Sequence, residues 1–115
     1  MIFELAQIEV TSGKEAAFEA AVTQALPLFH RARGCSGVQL QRTLEHPSRY
    51  VLQVQWATLE DHTVHFRQSE DFGAWRALVG PFFAEGTSPV VVHTAVVVQS
   101  ADAFSRLKCK CPRQR

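Results

Sequence analysis

VQLQRTLEHPSRYVLQVQWA, residues 38–57, holds two alternating runs around a polar turn. In the first run Val38, Leu40 and Leu44 fall on one side and Gln39, Gln41 and Thr43 on the other, with Arg42 alone breaking the apolar phase. Glu45-His46-Pro47-Ser48 supplies turn chemistry. Alternation then resumes, Tyr50, Leu52, Val54 and Trp56 standing against Gln53 and Gln55. A period of two sends successive side chains to opposite faces of a strand. Two such runs joined by a short polar turn predict an antiparallel hairpin with one apolar face.

The flanking segments switch to a helical period. Upstream, Phe18, Val22, Ala25 and Phe29 recur on one helical face within Lys14–Arg31. Ser12 and Glu15 have the spacing of a capping box at its start. Pro27 should kink the last turn or end the helix early. Gly34, Ser36 and Gly37 then break the chain before the hairpin. Ahead of this helix, Ile2–Val10 reads as a strand. Downstream, Thr58 can cap a helix over about 59–67, with Asp61 favourable in its first turn. Ser69 can cap a second piece whose stripe is Phe72, Trp75 and Val79, ended by Gly80-Pro81. After a loop at Glu85–Pro89, Val90–Gln99 is the last strand. The order strand, helix, strand, strand, helix, strand predicts an α+β, ferredoxin-like split βαβ fold. Both helices then cover one face of a four-stranded antiparallel sheet.

The chain has 115 residues, enough for one domain, assigned here to 1–99, with a basic tail at 100–115. The net charge of +1 gives no field that would steer the body of the domain to nucleic acid or anionic lipid. Glu4 stands where a secretory signal would carry Lys or Arg. The apolar stretch Val90–Val98 is too short to cross a bilayer. A cytoplasmic location without membrane or nucleic-acid partners is the expectation. Three cysteines, Cys35, Cys109 and Cys111, do not form a disulfide framework. Cys109 and Cys111 supply only half the ligands of a structural zinc site.

Valines occupy both phases of the last strand: Val90, Val92, Val96 and Val98 on one, Val91 and Val97 on the other. A strand apolar on both sides is buried on both sides. The helices cover only one, so the other calls for a symmetric homodimer through the sheet face. Gln39, Gln41, Gln53 and Gln55 could form a polar seam across it, hydrogen-bonded between the sheets, or simply be solvated.

Gly34-Cys35-Ser36-Gly37, the Pro47 turn, Trp56, and then His65, Ser69 and Phe72 together resemble the antibiotic biosynthesis monooxygenase domain over about residues 1–99. The family's His-x-x-Ser-x-x-Phe run is stretched by one residue between His65 and Ser69. The resemblance implies a dimeric α/β barrel with a pocket in each subunit between helices and sheet. Some members oxidise phenols or quinols with molecular oxygen and no cofactor, while others degrade haem. The haem-degrading pattern of Asn, Trp and His meets Ala6, His65 and Trp75 here, so haem chemistry is disfavoured.

Within that frame, His65 is the candidate base: an imidazole titrating near neutrality can take a phenolic proton. Its plainer role is to tie the helix start to the sheet. Trp56, Phe66, Phe72 and Trp75 could wall a pocket for a flat ring, or serve simply as core. Arg76 could neutralise a phenolate, or be a solvated surface residue. His62 and His65 could share a helix face, but nothing clearly completes a metal site, and neither metal nor cofactor is expected. The function expected is a cofactor-independent monooxygenase acting on a small phenolic, quinol or polyketide-like aromatic. The alternative is a non-catalytic small-molecule binding protein on the same fold.

Overall fold

A sheet with an apolar face and two helices with one apolar stripe each can bury both by packing as two layers. In the computed structural model, which describes residues 1–101, this is the arrangement adopted. The elements are β1 (Ile2–Glu9), α1 (Glu15–His30), β2 (Cys35–Arg42), β3 (Arg49–Trp56), a π-helical turn (Asp61–Phe66), α2 (Glu70–Val79), a short 3₁₀ turn (Gly80–Phe82) and β4 (Val90–Thr94). The sheet is antiparallel in the order β2-β3-β1-β4. This is the ferredoxin-like fold that the hairpin and its flanking helices predict.

The core lies between the helices and one sheet face. Ala6 and Ile8 of β1 and Tyr50, Leu52, Val54 and Trp56 of β3 meet Phe18, Val22, Ala25 and Phe29 of α1. Phe29 in turn packs edge-on against Trp75 of α2, ring centroids 4.9 Å apart. Each such large apolar side chain contributes about 1.5–3 kcal/mol by burial. Arg42 lies at the corner of the sheet. Its Nε donates to the Pro47 carbonyl and its guanidinium lies 3.5 Å from the Glu19 carboxylate.

Three details depart from the sequence expectations. Ser12 does not cap α1. A turn closed by Lys14 N–H to Thr11 C=O, with Gly13 at φ 91°, leaves Ser12 two residues short of the helix N-cap, Lys14. Glu15 still reaches back to the Gly13 amide, and it also accepts from the Ser48 hydroxyl. Pro27 does not end α1, which continues to His30. The ring removes one amide donor, and tertiary burial of Leu28 and Phe29 holds the last turn in place. The last strand stops at Thr94 rather than Gln99. Phe3 pairs with Thr94, and β1 begins only one residue earlier, so the strand runs past the end of its neighbour.

The sheet face away from the helices carries Leu5 opposite Val92 and Gln53. Val90 and Val92 are 62% and 52% exposed there, and Val96, Val97 and Val98 are also exposed. Gln41 donates to Gln39, and Ser36 to Gln55, along the same face. Cys109, Cys111 and the basic tail lie outside the described residues.

Candidate active site

β1 presents Glu4, Ala6 and Ile8 on its helix-facing phase, so one acid stands in an otherwise apolar row. Glu4 is 5% exposed. A buried carboxylate must be hydrogen-bonded, and two neighbours meet that need. The Trp56 indole Nε1 donates to Glu4 Oε1 at 3.0 Å, and His62 Nε2 lies 3.3 Å from the same oxygen. Burial pushes the Glu4 carboxyl above its ordinary range, opposed by the Trp56 hydrogen bond and the Arg67 charge.

His62 is 3% exposed and stacks on Trp56, ring centroids 5.4 Å apart and planes within 16°. Its Nδ1 lies 2.8 Å from Nε2 of His93 on β4. Burial first, then the charges of Arg67 and His93, push the His62 imidazolium down to about 4. The ring is therefore neutral at physiological pH, and its contact with Glu4 is a hydrogen bond rather than an ion pair. With Glu4 ionised, proton bookkeeping assigns Nε2–H of His62 as donor to Glu4. His62 Nδ1 then accepts from His93. With Glu4 protonated, both bonds reverse. Trp56, Glu4, His62 and His93 thus form one connected polar row in a dry setting.

The π-helical turn places His62. Thr58 and Asp61 cap its start reciprocally, the Asp61 amide donating to Thr58 Oγ1 and the Thr58 amide to Asp61 Oδ2. The Arg67 amide then reaches back five residues to the His62 carbonyl. A turn of that width takes up one residue more than an α-helical turn. It brings His62 and Phe66 to the inner side and swings His65 outward. Ser69 caps α2 through its hydroxyl, which accepts from the Phe72 amide.

Between this turn, α2 and the β1–β4 side of the sheet is a cavity of about 350 Å³. Glu4 and His62 form its polar end, and Ala6, Ile8, Leu52 and Val91 its apolar floor. Phe72 and Trp75 wall it, and Arg67, Arg76, Ser88 and Pro89 stand around it. This is the size and lining of a small-molecule site. A second groove of about 430 Å³ lies between α1 and β2. It holds Tyr50, whose hydroxyl donates to Glu19 and is pushed up to about 12, chiefly by burial. That groove has an exposed ion pair and no buried acid, so it offers less chemistry.

Of the residues singled out from the sequence, Phe72, Trp75 and Arg76 line the cavity. Trp56 is fully buried and acts from behind, by holding Glu4. Phe66 is core, packed on Phe29 and Trp56. His65 is exposed and does not line the cavity, whereas His62 does. Glu4 went unread in the sequence, although a Glu in phase with Ala6 and Ile8 was a visible signal. Among the described residues, no group of three or more His, Cys, Asp or Glu side chains is placed to hold a metal ion. No helix among them is long and apolar enough to cross a membrane.

A ferredoxin-like sheet with a buried carboxylate–imidazole pair at the end of an aromatic cavity defines a small-molecule pocket protein. The model of the family described as antibiotic biosynthesis monooxygenase matches residues 1–78, and the chain belongs to that family. The Bacillus subtilis protein YczJ, itself uncharacterized, is 37% identical over 93 residues, spanning 81% of this chain and 96% of YczJ. A solved Bordetella bronchiseptica structure, named for the same family, is 56% identical with a TM-score of 0.80, covering 84% of this chain and 97% of that one. SnoaB from Streptomyces nogalater, described as a cofactor-independent oxygenase, is 14% identical with a TM-score of 0.73, over 88% and 97% of the two chains. At that identity SnoaB shares the fold alone.

Proposed function

We propose that the protein is a cofactor-independent monooxygenase that oxidises a small phenolic or quinol compound in the 350 Å³ cavity. The observation that carries this reading is Glu4, a buried carboxylate facing the cavity with its pKa raised toward that of a useful general base. Its Oε1 is occupied by Trp56 and His62, leaving Oε2 to accept the substrate's hydroxyl proton. The resulting electron-rich anion reacts with oxygen directly. One oxygen atom enters the ring, giving a hydroxyquinone from a quinol, and the other leaves as water. The substrate supplies every electron, so no reductant is needed. His62 orients Glu4, and with His93 it offers the proton a path away from the cavity. Phe72 and Trp75 hold the ring. The family name supports the reaction class; the residues of this chain support the roles.

The test is oxygen uptake with an electrode over hydroquinones, naphthols and anthrones. Protein-dependent uptake is expected. It should fall roughly tenfold or more in His62→Gln, which disturbs the acid's orientation. In His65→Ala, whose side chain points to solvent, it should stay within about twofold. A loss confined to His65→Ala would return the base to that position. No uptake with any substrate would leave the second reading, a binding protein without turnover.

The exposed valine face is assigned in the same proposal to a second copy of the chain. Val90, Val92 and Leu5 would pack against their symmetry mates, with the glutamines as a polar seam. Light scattering at several micromolar is expected to give about twice the 12.9 kDa chain mass. A monomer at that concentration would remove the argument.

A further inference from the structure

The described residues include six arginines, and four of them are paired with acids: Arg31 with Asp71, Arg33 with Asp61, Arg42 with Glu19 and Arg49 with Glu9. The other two, Arg67 and Arg76, have no carboxylate partner among the described residues, and both stand at the cavity. Arg76 lies over the Phe72 ring, 5.8 Å from its centroid, so its stem follows the aromatic wall. Arg67 sits at the end of the π-helical turn, close enough for its charge to act on Glu4, His62 and His93 alike. Among the described residues, the only acid lining the cavity is Glu4, already held from within. Two guanidiniums against one carboxylate leave the cavity with a positive excess. A planar guanidinium fork suits a planar carboxylate, two N–H groups meeting two oxygens.

We propose that the ligand of this cavity is an aromatic hydroxycarboxylate bound as its anion. Its carboxylate is held by Arg76 and Arg67, its ring lies against Phe72 and Trp75, and its hydroxyl faces Glu4. The placement of the hydroxyl rests on the oxygenase reading above; the binding of the carboxylate does not.

Isothermal titration calorimetry with a hydroxynaphthoate and the matching hydroxynaphthamide separates the two. The acid is expected to bind at least about tenfold more tightly than the amide, an advantage that shrinks as salt is added. Arg76→Gln and Arg67→Gln should each cut that advantage, weakening the acid more than the amide. Both side chains are exposed, and circular dichroism would verify that each variant folds. Equal binding of acid and amide, binding of neither, or a preference that survives in both variants would overturn the proposal. Oxygen uptake is then read on the same acid and on uncharged quinols. Acid-selective binding without uptake would uphold the carboxylate site and remove the oxygenase. Uptake on neutral quinols with no acid preference would do the reverse.

Discussion

Glu4→Gln is expected to abolish most oxygen uptake while leaving the fold in place. The amide oxygen can still accept from Trp56 Nε1, and the side-chain volume is nearly unchanged, so the packing around His62 survives. What is lost is the group that takes the proton. General-base catalysis is worth about 10²–10⁴-fold, and the fall in kcat/KM should lie in that range. The pH profile gives a second readout. Wild-type kcat/KM should rise with pH as Glu4 ionises, with its inflection above the ordinary carboxylate range because burial raises that group. The variant should lack this limb. Stability carries the same signature with a definite sign. A carboxyl whose pKa is raised in the folded state favours folding below its unfolded value of 4.5, and that contribution is lost as pH rises through the folded value. Glu4→Gln removes this loss, so the variant should be no less stable than wild type at neutral pH. His62, pushed down from 6.5 to about 4, acts in the opposite sense: stability falls as pH drops from 6.5 toward 4 in both proteins. If Glu4→Gln kept half or more of the wild-type rate, Glu4 would be structural and the base would have to be sought elsewhere.

Gly34→Ala should destabilise the protein by about 2–5 kcal/mol, summing left-handed backbone strain and a steric clash. Gly34 has φ 80°, a conformation that side chains resist. A Cβ built there would lie 2.0 Å from Asp61 Oδ2 and 2.4 Å from its Cγ. Asp61 cannot simply yield, because it caps the π-helical turn through Thr58. The Gly34 carbonyl is fixed as well, accepting from the Ala57 amide at 2.7 Å. Displacing Asp61 would loosen the turn that carries His62, so ligand binding should weaken along with stability. Gly13→Ala is the matched control. Its φ is 91° but nothing lies within 4 Å of the added Cβ, so it should cost only the strain, about 1–2 kcal/mol. Thermal unfolding of the two variants separates strain from clash. Equal melting temperatures for both would show that the Gly34–Asp61 approach contributes nothing.

Much of the architecture was legible because it depends on local periodicity. Alternation across Val38–Ala57 marks a hairpin whatever surrounds it, and the Phe18, Val22, Ala25 and Phe29 spacing marks the buried face of α1. The Ser69 cap and the Thr58–Asp61 pair were equally readable, since capping involves residues three apart in the chain. The Ser12 cap failed because a competing turn at Gly13 moved the helix start.

The candidate site was less legible. Three of its walls, Phe72, Trp75 and Arg76, follow from the face of one helix. The choice between His62 and His65 does not, because an α-helical period puts them nearly on one face, whereas the widened turn buries His62 and leaves His65 exposed. Glu4 stood in an apolar phase, but its partners are 52 and 58 residues away, and no spacing rule links a first-strand acid to a strand-end Trp and a histidine on a distant turn. The sequence by itself therefore determined the strands, the helices, their order and the buried faces, all set by contacts between near neighbours in the chain. Only the tertiary structure decided which imidazole lines the cavity, that a carboxylate is buried beside it, and that two arginines stand at its edge. Those outcomes depend on burial and on pairing between distant segments.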